Sequence, residues 1–432
     1  MSRWSRLVMF TLCLVFGLTS FVCARTKVTM MMYGPPEHER FYEQIKAGFE
    51  RDNPDYELEY TLIAQSEYIN KMIVNLVAGA APDVFLTWAQ YKGQWVEDGL
   101  IYDITDMVQN SSVYRLDKFF PPIRENVSYN DRIYGAPWGF NTSLFWANLD
   151  LLESNGIALP SQEWTYDDLR LIAKKVAKPE QRVFGSTAQT ATGDASYVQQ
   201  MMNWAGHSYL DETQRQVLVN SPGALGLADF WRQMAVEDRV VPTAQLPRRS
   251  GAEAFVDGDL AFWYGWSSDT NRVATLQQSG LQTIRFAPMR WPKANYGQYM
   301  FAQGHLWTIP AGHPDPERAF KLIEWLGSEA CDMIWASAQR TPPTMPNRDH
   351  WDAYNRLLSP QERNMTVNFL MSVMGEGYVR NFEYWPTWPE LQNILRSQFT
   401  RLLQGQIGTK EAMDTAAQLM QVYQDEYWAR KQ

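Results

Sequence analysis

The 432-residue sequence predicts an α/β fold divided into at least two lobes. Its length exceeds the roughly 100–200 residues that one domain usually holds. Its composition, 45% apolar and 20% charged, is that of a chain that folds around a packed core. After residue 25, short apolar runs that favour strands alternate with segments of helical period, which is typical of a parallel sheet covered by helices.

The first 24 residues have the pattern of a secretory signal peptide. Arg3 and Arg6 give a positive start, Leu7–Leu18 is apolar, and Val22–Ala24 forms a small-x-small cleavage site. We therefore expect cleavage after Ala24 and export to the periplasm or another extracytoplasmic compartment.

Two alternatives at the N-terminus stay open. Cys23 could carry a lipid anchor, as in exported lipoproteins, although the preceding Phe21 is bulkier than such signals favour. The segment could also remain as a membrane anchor, but its apolar part is shorter than the roughly 20 residues of a spanning helix. After cleavage Cys331 would be the one cysteine of the mature sequence, so no internal disulfide is expected.

The first elements of the mature chain predict a β-α-β-α-β series. Strands are predicted at 27–33, 58–64 and 82–86. The helices between them are predicted from apolar residues at helical spacing, namely Phe41, Ile45 and Phe49, then Met72, Ile73, Leu76 and Val77. Because the carboxyl ends of parallel strands meet at one sheet edge, Tyr33, Gln65 and Trp88 are expected where α/β proteins bind ligands.

Later segments predict further helices of the core. Thr165 and Asp168 have the spacing of a capping box. Apolar residues at helical spacing predict helices over 319–326 and 391–403, and Trp325 and Trp335 within helical runs are expected in the core. No flexible linker and no fixed-period repeat separates these elements.

Composition and motifs exclude several function classes. The formal charge of −9 and the lack of basic runs argue against nucleic-acid binding. No metal, nucleotide or nucleophile motif is present, the five histidines are scattered, and Asp257–Asp259 reads as a turn, so neither a metal nor a cofactor is expected. Carboxylates beside aromatic rings, such as Glu163 and Glu383, keep glycoside hydrolysis open.

Several segments have the order and spacing of the motifs of a known family. They are AGAAPDV at 78–84, RIYGAPWGFNTSLFWAN at 132–148, WTYDDL at 164–169, FVDGDLAFWYGW at 255–266, and GHLWTIP, PERAF and TPP at 304–310, 316–320 and 341–343. Together they resemble the extracellular solute-binding proteins of carbohydrate ABC importers, the maltose-binding-protein-like family, with Trp146 where Tyr is usual. The resemblance spans nearly the whole mature chain.

The resemblance implies a two-lobed, periplasmic-binding-protein-like fold of type II, with the ligand in the cleft between the lobes. Each lobe would be a sheet flanked by helices. The chain would cross between the lobes near Trp138, Gly304 and Thr341, and closure would bend these segments. The implied lobes are 25–138 with 304–340, and 139–303 with 341–432.

Candidate ligand-binding residues follow from this implied cleft and from the tryptophans. The chain has 18 Trp, of which one precedes residue 80. Aromatic rings can cover the C–H face of a sugar, while amides and charged groups bind its hydroxyls. The candidates are Trp266, Trp88, Trp138, Asn141, Tyr33, Gln65, Trp263, Gly304, Arg340 and Trp385.

The function implied is that of a monomeric, non-enzymatic receptor that captures a saccharide and delivers it to a membrane ABC permease. Three alternatives remain at this stage. The ligand could be glycerol phosphate or a phosphodiester held by Arg340 or Arg380. The protein could instead be a secreted glycoside hydrolase, or an adhesin without a small-molecule ligand.

Overall fold

The computed structural model describes residues 24–187, 196–242, 251–280, 283–339, 341–381 and 385–431. The candidate residues Arg340 and Glu383, and the predicted signal segment up to Cys23, lie outside these ranges. No helix in the described ranges combines the length and the apolar character that crossing a membrane requires.

Strands and helices alternate along the described chain. The strands are β1 (Thr26–Tyr33), β2 (Tyr56–Ile63), β3 (Val84–Thr87), β4 (Ser128–Tyr129), β5 (Arg132–Ile133), β6 (Ala136–Asn148), β7 (Phe184–Ser186), β8 (Leu260–Trp266), β9 (Phe286–Met289), β10 (Met300–Thr308) and β11 (Val379–Asn381). The helices are α1 (Glu39–Asp52), α2 (Gln65–Val77), α3 (Ala89–Glu97), α4 (Thr105–Asn110), α5 (Pro121–Asn126), α6 (Leu149–Ser154), α7 (Tyr166–Val176), α8 (Ser196–Ala205), α9 (Pro222–Arg232), α10 (Gly251–Val256), α11 (Asp269–Gln278), α12 (Pro316–Leu326), α13 (Glu329–Ser337), α14 (Arg348–Tyr354), α15 (Pro360–Gly375), α16 (Trp388–Leu403) and α17 (Thr409–Lys431).

One mixed sheet runs through the molecule in the order β2-β1-β3-β10-β6-β8-β7. β2, β1 and β3 are parallel, as predicted for this part of the chain. β10 is antiparallel to both β3 and β6, and β6 is antiparallel to β8. β9 and β11 add to β6 and β10. The predicted α/β class is confirmed. The two long strands β6 and β10 lie in the middle of the sheet, between β3 on one side and β8 on the other.

The predicted helix α1 packs on this sheet through its apolar face. Phe41 is 5% exposed, and Ile45 and Phe49 are fully buried. Trp325 and Trp335 are each 3% exposed, which confirms their prediction as core residues. The Trp335 ring lies 4.2 Å from that of Phe41. The helices α12 and α13 therefore cover the same face of the sheet as α1.

β3 begins at Val84, two residues later than predicted. The reason is Asp83, whose carboxylate takes the place of a main-chain acceptor. Its Oδ2 accepts the Thr29 N–H at 2.6 Å and the Thr29 hydroxyl at 2.8 Å. Its Oδ1 lies 2.6 Å from Arg318 Nη2 and from His313 Nε2. Asp83 thus anchors the start of β3 to β1 and to α12.

The predicted capping box at the start of α7 is confirmed. Asp168 Oδ2 accepts the Thr165 N–H at 2.8 Å, and Thr165 Oγ1 accepts the Asp168 N–H at 3.2 Å. The helix then buries Leu169, Ala173 and Val176. Its start and its core face are therefore both encoded locally in the sequence.

Three chain segments meet where β6 and β10 pass each other. Gly139 has φ +63°, and a Cβ there would lie 2.4 Å from Cβ of Thr341. A Cβ on Gly304 would lie 2.7 Å from the carbonyl oxygen of Gly139. Asn126 Nδ2 donates to the Gly304 carbonyl at 3.2 Å. The segments for which crossings were predicted are thus in direct contact, although the division of the chain into lobes at these residues remains a prediction.

We predict that Gly139→Ala destabilises the protein far more than Gly79→Ala. Both glycines have a similar positive φ, but a Cβ at Gly79 would meet nothing within 4 Å. The left-handed conformation alone costs alanine about 1–2 kcal/mol. The overlap with Thr341 should add about 1–3 kcal/mol at Gly139. Urea unfolding of both variants measures the difference in the free energy of unfolding. Equal losses of this free energy would show that the three segments can move apart without cost.

Candidate functional site

The carboxyl ends of β1 and β3 bring Tyr33 and Trp88 together. The strands are parallel, with Met31 opposite Phe85, so the residues that follow them emerge at the same sheet edge. The ring centroids of Tyr33 and Trp88 are 5.2 Å apart, edge to face. Gln65, the first residue of α2, follows β2 and is exposed. Three predicted site residues therefore follow neighbouring strand ends.

Trp138 on β6 and His305 on β10 join these rings. The two residues are directly opposite each other in the antiparallel pair, and their rings are 5.5 Å apart and nearly parallel. The His305 ring also stacks on Trp88 at 6.0 Å, and its Nδ1 accepts the Ala89 N–H at 3.1 Å. We call Tyr33, Trp88, Trp138 and His305 the first aromatic cluster.

His305 is a candidate site residue that sequence reasoning missed, because an isolated histidine is usually a surface or polar core residue. The available signal was its position beside Gly304, next to a predicted crossing. The pairing register of β6 and β10 shifts between Gln303 and His305. Such an irregularity cannot be located from the sequence, since it changes which residues share a face of the sheet.

Trp88 brings a polar group to the first aromatic cluster. The residue is half-buried, yet its indole N–H is shielded from solvent and has no acceptor among the described residues. Buried donors in native proteins nearly always have a hydrogen-bond partner. A bound hydroxyl group could accept from this N–H only after the groups that shield it have moved.

Trp266, at the end of β8, lies in a second aromatic cluster. Its ring centroid is 6.1 Å from those of Tyr264 and Phe301. Trp266 and Tyr264 are half-buried and stand on the same face of β8, whereas Phe301 on β10 is buried. Sequence reasoning missed Tyr264 because alternation along a strand gives two faces without saying which one is open. We define Trp266, Tyr264 and Phe301 as the second aromatic cluster.

Asn141 and Asp269 fix the main chain around Trp266. Asn141 Oδ1 accepts the Ser268 N–H at 3.2 Å, and Asp269 Oδ2 accepts the Trp266 N–H at 2.7 Å. Desolvation raises the pKa of the Asp269 carboxyl to about 6, although the bond from the Trp266 N–H opposes this shift. Because the carboxylate is engaged by the main chain, its evident role is to hold the turn that carries Trp266.

The two clusters share the long strand β10. Phe301 and His305 are four residues apart on β10, which corresponds to about 13 Å along a strand. The close contact between Gly139 and Gly304 lies between them in the chain. Bending of the sheet at these glycines would therefore change the distance between the clusters.

Trp263 does not join either cluster. It alternates with Trp266 and Tyr264 along β8, is 6% exposed, and lies 5.6 Å from the ring of Phe255. A Cβ on Gly251 would lie 2.6 Å from its Nε1, so α10 packs tightly over this ring. The structure thus gives Trp263 a core position rather than an open one.

Trp385 belongs to a third aromatic group. Its ring centroid is 5.7 Å from Trp388 at the start of α16 and 6.0 Å from Tyr209. Trp388 and Tyr209 are stacked at 5.5 Å with nearly parallel planes. The group is almost entirely buried, so little of the Trp385 ring is accessible to a ligand.

The carboxylate candidate that the structure describes does not lie in an aromatic cluster. Glu163 forms exposed ion pairs with Arg290 at 3.1 Å and with Lys293 at 3.4 Å. Within the described ranges, no three His, Cys, Asp or Glu side chains are grouped so that they could hold a metal ion. The candidate site, as far as the structure describes it, consists of aromatic rings, side-chain amides and main-chain groups.

This chain is similar in sequence and in structure to known binding proteins. The chain is 21% identical to the mannitol-binding protein of Pseudomonas aeruginosa over 397 residues, which cover 87% of this chain and 88% of that protein. A binding protein of Brucella abortus is 23% identical over 197 residues, so the match spans about half of that relative, 46%. The sugar-binding protein MalE of Xanthomonas citri superposes with a TM-score of 0.75 at 17% identity and covers 94% of this chain and 100% of its own.

The fold and the sequence thus agree on one assignment. The likeness to MalE confirms the two-lobed fold that the resemblance implied. The sequence profile of the bacterial extracellular solute-binding proteins matches residues 44–356, most of the described chain. The protein belongs to the bacterial extracellular solute-binding protein family.

Proposed function

We propose that this chain is the extracytoplasmic binding component of an ABC importer and that it captures a neutral sugar, sugar alcohol or oligosaccharide. The observation that carries the proposal is the pair of aromatic clusters, which share β10 through His305 and Phe301, on either side of Gly304. The relatives named for mannitol and for sugar binding support the same ligand class. The predicted signal segment would direct export, with cleavage after Ala24.

The two clusters provide the two kinds of contact that a sugar needs. The rings of Trp88 and Trp266 offer apolar surface for the C–H face of a pyranose. The exposed amide of Gln65 can hydrogen-bond its hydroxyls, and the indole N–H of Trp88 could do so once the groups that shield it move. Micromolar affinity requires about −8 kcal/mol, which two stacked rings and a few hydrogen bonds can supply after the cost of closure.

The contact of Gly139 with Gly304 and Thr341 is the proposed hinge. Bending at this point would bring the first and second aromatic clusters together around the ligand. The ligand would shift the equilibrium toward the closed form because it touches both clusters only there. The closed form would then be the one that docks on the permease and releases its ligand.

A ligand panel tests the proposal directly. We expect saccharides or polyols to raise the midpoint of thermal unfolding, because a ligand at 100 times its Kd adds about 2.7 kcal/mol to the free energy of unfolding. The panel contains mannitol, mono- and disaccharides, longer oligosaccharides and glycerol phosphate. No response to any sugar would contradict the proposal, and hydrolysis by catalytic amounts of protein would indicate a glycosidase instead.

We predict that Trp266→Ala weakens binding of the panel's best ligand by about 2 kcal/mol, as expected for a stacked ring in a binding site. The midpoint of unfolding should change little, because Trp266 is half-buried. The matched control is Trp263→Phe on the opposite face of β8, which should lower stability and leave affinity unchanged. Calorimetric titration measures both variants, and equal affinities for Trp266→Ala and the unmodified protein would remove Trp266 from the site.

A further inference from the structure

A buried carboxylate, that of Asp332, joins the helices on either side of the third predicted crossing. Asp332 lies on α13, before Thr341, whereas its partners Thr344 and His350 follow that residue, His350 on α14. Asp332, Thr344 and His350, which we call the joint, are each 4% exposed. We infer that Asp332 is a positioning residue that sets the open–closed equilibrium of the receptor without touching its ligand; this inference rests on the proposed function.

Both oxygens of the Asp332 carboxylate are engaged by groups beyond the crossing. Oδ1 accepts the Thr344 N–H at 2.8 Å and the Thr344 hydroxyl at 2.7 Å. Oδ2 lies 2.6 Å from Nδ1 of His350. A buried carboxylate is stable only while its oxygens are hydrogen-bonded, and removing one partner of such a group is strongly destabilising. Moving α14 away from α13 would therefore leave a buried charge without its partners.

On one side of the joint, α13 contacts the first aromatic cluster. Trp335 follows Asp332 on the same helix, and its ring centroid lies 5.9 Å from that of Trp138, edge to face. The Trp335 ring also stacks on Trp307 of β10 at 6.5 Å. Because these rings are buried and closely packed, a displacement of α13 is transmitted to Trp138.

On the other side, α14 contacts the turn that carries Trp266. The hydroxyl of Tyr354, the last residue of α14, lies 3.5 Å from the carbonyl oxygen of Ser268. The amide of Gln339 donates to the Tyr354 carbonyl and to Asn271 Oδ1, both at 3.0 Å. Asn271 lies in α11, which begins directly after this turn. The two helices that Asp332 joins therefore connect the first aromatic cluster with the second.

The joint is also connected to the proposed hinge. The Phe120 N–H donates to the Thr344 carbonyl at 3.3 Å. Helix α5 follows Phe120 and ends at Asn126, which donates to the Gly304 carbonyl. With the joint intact, bending at the hinge therefore moves the two clusters along a restricted path. A weakened joint adds forms in which a ligand cannot touch both clusters, and the apparent affinity falls with the fraction of competent molecules.

Asp83 provides a matched control within the same chain. Its carboxylate also accepts the N–H and the hydroxyl of one threonine, Thr29, and faces one histidine, His313. It is buried to a similar extent, at 7% exposed. Its partners, however, all lie in the same implied lobe as Asp83 itself, 25–138 with 304–340. Weakening this group should lower stability without changing how the two clusters move relative to each other.

The experiment compares two pairs of variants. Asp332→Asn and Asp83→Asn keep the shape of the side chain but replace one acceptor oxygen by an amide NH2 group, which cannot accept a hydrogen bond. Thr344→Val and Thr29→Val are milder, because they remove only the hydroxyl and keep the main-chain bond. Mannitol, maltose and maltotriose, with any other saccharide that stabilises the unmodified protein, are titrated calorimetrically into all four variants.

A distance measurement reports the open–closed equilibrium directly. Val74→Cys and Val422→Cys place nitroxide labels at exposed positions in the two implied lobes of the exported protein. Cys331 is fully buried, so it does not take up the label. Electron spin resonance then gives the distribution of distances between the labels, with and without saturating ligand, in the unmodified protein and in each variant.

We expect Asp332→Asn to weaken every ligand by the same factor, about tenfold, which lies within the usual range of coupling between sites. Thr344→Val should cost about threefold, as expected for one hydrogen bond. Both variants should broaden the distance distribution of the ligand-free protein and leave that of the saturated protein unchanged. Asp83→Asn and Thr29→Val should lower the midpoint of unfolding but keep both the affinity and the distribution, with the affinity within about twofold.

Two results would overturn the joint and leave the proposed function standing. One is an unchanged affinity and distance distribution in folded Asp332→Asn or Thr344→Val. The other is an equal loss of affinity in the Asp83 and Thr29 variants, which would reduce the effect to stability. No binding of any saccharide by the unmodified protein would overturn the proposed function instead, and the ligand-free distance distributions would still test the joint.

Discussion

The close approach of three main-chain segments at Gly139, Gly304 and Thr341 is the constraint on which the rest of the structure depends. No side chain fits at Gly139, because a Cβ there would overlap Thr341. The approach lets β6 and β10 run as continuous strands through the sheet, where they carry residues of both aromatic clusters. If loops took the place of β6 and β10, bending at one point would not determine where Trp138 and His305 lie relative to Trp266 and Phe301.

This constraint explains why aromatic residues gather at the crossing strands. Strand pairing sets Trp138 opposite His305 and places Ser143 opposite Trp266. Trp138, His305, Trp266, Tyr264 and Phe301 each enter a cluster from a strand, and Asn141, also on β6, supplies a supporting group. Preorganised rings reduce the entropy that ligand binding must offset, so affinity can be reached with few contacts.

Much of the fold was predictable because its signals are local. The series of strands and helices at 26–87 and the capping box at Thr165 depend on neighbours within a few residues. The buried positions of Trp325 and Trp335 follow from helical spacing. His305 and Tyr264 were missed for the opposite reason, since their roles depend on strand register, and that register shifts between Gln303 and His305. Because of the same ambiguity, Trp263 was predicted as a site residue together with Trp266, although it lies on the other face of β8.

The contrast between Trp266 and Trp263 also bears on how a two-lobed receptor can move without losing stability. Trp263 is held by α10 and the ring of Phe255, so in the proposed closure it would move together with them. Trp266 is held through main-chain bonds to Asp269 and Asn141, which fix its backbone and leave part of its ring open. In the proposed closure, a ligand would gain contact with Trp266 while the packing around Trp263 stays unchanged. Only the binding free energy that the closed form gains over the open form can drive closure.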